Sequence, residues 1–105
     1  MKLTDAEIRQ IASRIGEVLH PLQVLLFGSY ADGTATDDSD LDLLVIMESD
    51  APRYKRSAAV RKLFWPPKAP MDILVYTPEE VNQWNGVPNH VLTNALGTGK
   101  VLYAA

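Results

Sequence analysis

Three short apolar runs limit what this chain can fold into: Val24-Leu25-Leu26-Phe27, Leu43 to Met47, and Ile73-Leu74-Val75. Runs of this length, bounded by turn residues, suit strands better than helices. A strand that is apolar at successive positions is covered on both faces. The segments between the runs carry helical spacing and helix stops. The expected class is therefore α/β (α+β), a sheet of three main strands with helices packed on it. The 105 residues make one domain, 1–105, and a chain this short buries about 65% of its unfolded surface.

The boundaries follow from local chemistry. Thr4 and Glu7 form a capping box. Ile8, Ile11, Ile15, Val18 and Leu19 then share one helical face until His20-Pro21 ends it. Asp40 to Met47 reads as the second strand and Met71 to Tyr76 as the third. Ala51-Pro52 opens a helix over Arg53 to Phe64, and Pro66-Pro67 stops it. Thr77-Pro78-Glu79-Glu80 caps a short helix to about Asn85. Val87-Pro88 opens another helix that runs to Leu96 and stops at Gly97, and Lys100 to Tyr103 adds a short edge strand.

Composition removes several classes. Cysteine is absent, which excludes disulfides, thiolate zinc sites and a cysteine nucleophile. No apolar run approaches the ~20 residues of a membrane span. The start, MKLTDAEIRQ, lacks the apolar stretch of a signal peptide. A cytoplasmic setting is expected.

The net charge of -3 gives no strong signal for duplex nucleic acid. The charges are segregated, however. No Lys or Arg lies between Arg14 and Arg53, where Glu17, Asp32, Asp37, Asp38, Asp40, Asp42, Glu48 and Asp50 occur. The next stretch holds Arg53, Lys55, Arg56, Arg61, Lys62 and Lys68, with no acid between Asp50 and Asp72. An acidic patch beside a basic one suits a metal ion with a phosphate ligand; taken alone it reads equally as two solvated faces.

The stretch that carries chemistry is FGSYADGTATDDSDLDLLVI, Phe27 to Ile46. An apolar strand ends in Gly28-Ser29, where a glycine permits close backbone approach and a helix start offers free N–H groups to a phosphate. Ten residues later, Asp40 and Asp42 flank Leu41 at the entry to the next strand, on one face of it. Asp72 opens the third strand in the same way. Three converging carboxylates repel, and a hard divalent cation such as Mg²⁺ or Mn²⁺ relieves the repulsion.

Gly-Ser, ten residues, Asp-x-Asp and a later strand-borne Asp together resemble the signature of the DNA polymerase β nucleotidyltransferase superfamily. The short chain resembles its minimal, MNT-type branch. The resemblance implies a small nucleotidyltransferase core that moves a nucleoside monophosphate, AMP being the expected one, from an NTP to an acceptor hydroxyl. It implies Asp40, Asp42 and Asp72 as catalytic residues and ligands of two Mg²⁺ (or Mn²⁺) ions, with Gly28 and Ser29 at the phosphates. It also implies a helical protein partner or a homo-oligomer, as in the antitoxin half of MNT–HEPN pairs. In that case a non-catalytic module that neutralises its partner by binding is the alternative. One departure stands out: Asp32 occupies a position where such proteins often carry Arg or Lys.

Other motifs fail. Counting from Asp38, an EF-hand would need glycine where Leu43 stands and glutamate where Ser49 stands. Gly97-Thr98-Gly99-Lys100 lacks the first glycine and the Ser or Thr of a P-loop. His20 and His90 read as helix-end residues. Trp65, Pro66, Pro67 and Trp84 are candidates for a docking surface, with packing as the plain reading.

Overall fold

The computed structural model describes residues 2–105. Helix α1 spans Asp5–Leu19, capped by Thr4 and Glu7 as the capping box requires, with His20 closing it in the left-handed conformation. Strand β1, Gln23–Phe27, leads through Gly28 into the one-turn helix α2, Ser29–Asp32. After a loop come β2, Leu41–Ile46, and α3, Arg53–Arg61, which tightens into a 3₁₀ turn over Lys62–Phe64. Then follow β3, Met71–Tyr76, α4, Pro78–Trp84, α5, Val91–Thr98, and β4, Lys100–Ala104.

The sheet is mixed, in the order β3-β2-β1-β4. β2 runs antiparallel to β1 and parallel to β3, and β4 runs antiparallel to β1. The weakly patterned C-terminal segment is thus a full fourth strand, pairing through the edge of β1.

Strand alternation divides the core into two layers. Val24, Leu26, Leu41, Leu43, Val45, Ile73 and Val75 pack under α1 and α3. Leu25, Leu44, Ile46 and Tyr76 pack on the other face with Leu92 and Ala95 of α5. Burying an aliphatic side chain stabilises by about 1.5–3 kcal/mol, so two layers on one sheet hold the small domain together. Among the described residues no helix is long and apolar enough to cross a membrane.

Two boundaries differ from those read in the sequence. α5 begins at Val91, after a turn in which Asn89 takes φ 63°. His90 caps it, its Nδ1 accepting from the Leu92 N–H at 3.1 Å. Gly97 does not end this helix; Gly99 does, because the chain must turn there against its own backbone. A Cβ on Gly99 would overlap the Ala95 carbonyl and stand 3.2 Å from that of Leu26.

Candidate active site

The three aspartates are gathered by the sheet. Asp42 lies on the second strand with Phe27 opposite it on β1 and Asp72 in register on β3. Asp40 immediately precedes β2 and, by alternation, faces the same way as Asp42. That face is the one covered by α4 and α5 further along, at Leu44, Ile46 and Tyr76. The carboxylates therefore emerge where the helical layer ends. Asp42 is half-buried, whereas Asp40 and Asp72 are exposed. Leu41 anchors the strand entry, its N–H donating to the Pro70 carbonyl at 2.8 Å.

Gly28 completes this end. It adopts φ 72°, a conformation that favours glycine. A Cβ there would overlap Asp42 Oδ2 and lie 3.0 Å from Asp42 Cγ. The absence of a side chain thus makes room for the Asp42 carboxylate against the β1–α2 turn. Gly28 also accepts from the Ala31 and Asp32 N–H groups at 3.0 and 3.1 Å, which closes the turn. Burial pushes the Asp42 carboxyl above its ordinary range, and the charges of Asp72 and Asp40 push the same way.

Such a site suits a hard cation. Its donors are carboxylate oxygens, and a positive ion would relieve the repulsion just described. Among the described residues, no three His, Cys, Asp or Glu side chains form a ready-made cage. Mg²⁺ does not require one, since it usually takes one or two carboxylates and completes its shell with water and substrate phosphates. The carboxylates beside an open turn fit an ion that arrives with a nucleotide.

The loop leading to Asp40 is held internally. Ser39 Oγ accepts from the Thr36 N–H at 2.8 Å. Asp32 accepts from the Thr34 N–H at 3.0 Å and from the Thr34 hydroxyl at 2.5 Å. These bonds hold its carboxyl below the usual range. Asp32 therefore serves the local turn.

Adjacency of the acidic and basic stretches in sequence does not make them adjacent in space. β2, α3 and β3 form a parallel crossover, so α3 starts at the opposite end of the sheet from the aspartates. Arg53 lies over the Tyr76 ring, 5.1 Å from its centroid. Arg56 bonds Glu80 and the carbonyls of Ala51 and Val75. Arg61, at the other end of α3, reaches the Met71 carbonyl at 2.9 Å. Trp84 is not free for docking either: it stacks on His90 at 4.9 Å within the second core layer. Trp65 is 83% exposed.

The nucleotidyltransferase domain model matches residues 6–101. The chain belongs to the nucleotidyltransferase domain family. It is a nucleotidyltransferase whose Gly-Ser and aspartate positions lie within the matched region. No curated protein matches it significantly in sequence. Solved structures share the fold at low identity. One, from Sulfolobus solfataricus and described as a nucleotidyltransferase, is 23% identical with a TM-score of 0.56, over 72% of this chain and 68% of its own. A toxin–antitoxin structure with AMP-PNP is 20% identical with a TM-score of 0.61, over 90% and 73%. A mutant of the toxin–antitoxin MntA-HpeT is 17% identical with a TM-score of 0.59, over 98% and 75%.

Proposed function

We propose that the protein transfers a nucleoside monophosphate, AMP by expectation, from an Mg²⁺–NTP to a hydroxyl on a partner protein. The observation that carries this reading is the Asp42 carboxylate, set against side-chain-free Gly28 and in register with Asp72. Gly28 and Ser29 receive the phosphates at the β1–α2 turn. Asp40 and Asp42 hold the ion that travels with the triphosphate, and Asp72 serves the acceptor side. Bound Mg²⁺, as two ions in the full assembly, supplies Lewis acidity and neutralises charge. The acceptor oxygen attacks the α-phosphorus, the bond to the bridging oxygen breaks, and pyrophosphate leaves. The hydroxyl proton passes to Asp72 or to water.

The toxin–antitoxin relatives in fold support a protein as acceptor. So does exposed Trp65, beside a groove of about 300 Å³ lined by Ile11, Leu63, Phe64 and Met71. The same surface also favours a second reading, in which the chain neutralises a helical partner by binding alone. The test is incubation with each α-labelled NTP and Mg²⁺, with and without a co-purifying helical protein. Label on that protein, lost when Asp40, Asp42 and Asp72 are replaced by Asn, supports transfer. Tight complex formation without label, unchanged in that variant, supports the binding module.

A further inference from the structure

A polyphosphate at the β1–α2 turn would stand beside Asp40, Asp42 and Asp72, so the nucleotide needs positive charge from the protein as well as from its metal. Most cations are placed elsewhere. Arg53, Lys55 and Arg56 open α3 at the far end of the sheet. Arg56 is paired with Glu80, Lys68 with Glu7, and Arg61 is spent on the Met71 carbonyl.

Lys100 differs. It pairs with Leu26, two residues before Gly28, and directly opposed residues of an antiparallel pair lie roughly 5 Å apart and share a face. Leu26 packs in the layer that contains Ala31 and Tyr30 of α2. Lys100 therefore leaves the sheet on the side where α2 sits, beside the turn. It is exposed, and among the described residues it forms no ion pair. The preceding residue fixes this position: Gly99 alone lets the end of α5 lie directly on the Leu26 backbone and deliver Lys100 into the pairing. A lysine there is a mobile point charge on a four-carbon stem, suited to a phosphate group.

We propose that Lys100 is a phosphate-binding residue of this site, holding the polyphosphate tail of the nucleotide at the β1–α2 turn. The assignment rests on the nucleotide-transfer reading and adds a residue to it. Lys100 binds charge that lies outward from the reacting phosphate, so its contribution grows with the number of phosphates.

The test titrates Mg²⁺ with ATP, ADP or AMP calorimetrically into the parent protein, Lys100→Gln and Lys100→Arg. Lys55→Gln controls for a cation at the far end. Lys2→Gln controls for one near the Tyr30 hydroxyl, which accepts from the Leu3 N–H. Lys100→Gln is expected to weaken ATP binding about three- to tenfold, to weaken ADP less, and to leave AMP unchanged. Lys100→Arg and both control variants should bind like the parent, and the Gln effect should shrink in 0.5 M salt, a concentration at which the screening length falls to about 4 Å. ATP binding by Lys100→Gln equal to the parent's overturns the assignment and leaves the transfer reading intact. Equal losses for ATP and AMP, or the same loss in Lys2→Gln, also overturn it. A parent protein that binds none of the three nucleotides removes both.

Discussion

At Asp42 the protein accepts an unfavourable charge. Its carboxyl is raised by burial first and by Asp72 and Asp40 next. A carboxyl whose folded pKa exceeds its unfolded value contributes stability that is fully present below the unfolded pKa. That contribution is lost as pH rises through the folded one. The ionised group thus costs stability at neutral pH in the absence of a cation. Asp42→Asn is expected to raise the melting temperature of the chelator-treated protein by a few degrees at pH 7, a gain that disappears near pH 3. A melting temperature that falls at pH 7 would show that the carboxylate is better compensated than its surroundings imply. Gly28→Ala should act oppositely. Its positive φ and its overlap with Asp42 are expected to cost about 1–3 kcal/mol, visible as a lowered urea midpoint, and nucleotide binding should be lost with it.

Among the elements, the joint between α3, β3 and α4 depends on Arg56. Its guanidinium bonds Glu80 and two backbone carbonyls, while Glu80 also accepts from the Thr77 N–H as part of the α4 capping box. The Arg56 hydrogen bond is the main cause that holds the Glu80 carboxyl below its ordinary range. The stability from this pair is therefore present above the unfolded glutamate pKa and lost as pH falls through the depressed folded value. Arg56→Ala should cost about 2 kcal/mol and lower the melting temperature by roughly 10 °C. Nucleotide affinity should not change, because the joint lies at the far end of the sheet.

Local signals were legible here wherever one residue decided a boundary. Thr4, Pro21, Pro78 and the apolar runs placed α1, α4 and the three inner strands. The aspartate spacing placed Asp40 and Asp42 on one strand face because alternation is a local rule. What the sequence hid was set by partners distant along the chain. His90 caps α5 only because the Asn89 turn presents it. Lys100 comes near Gly28 only through the β1–β4 register. The basic helix faces away from the aspartates only because a parallel crossover reverses it.

For the molecule as a whole, four strands and five short helices leave an open end with carboxylates and little beyond it to hold an acceptor. Trp65 and its groove are the surface through which a second protein would complete the site. Trp65→Ala is expected to leave Mg²⁺–ATP binding unchanged while reducing label transfer to the partner at least tenfold, since exposed aromatic anchors dominate docking energy. Efficient transfer to a free small hydroxyl compound by a strictly monomeric preparation would contradict this division between nucleotide site and partner surface. The central claim is that the carboxylate end of the sheet is the nucleotide site, with Asp40 and Asp42 on the triphosphate side and Asp72 on the acceptor side. Calorimetric titration of Mg²⁺–ATP into the parent, Asp40→Asn, Asp42→Asn and Asp72→Asn tests it most directly. Asp40→Asn and Asp42→Asn should lose about 100-fold or more in affinity, while Asp72→Asn should still bind nucleotide and yet transfer none. Asp42→Asn binding as tightly as the parent, or Asp72→Asn losing as much affinity as Asp42→Asn, would contradict it.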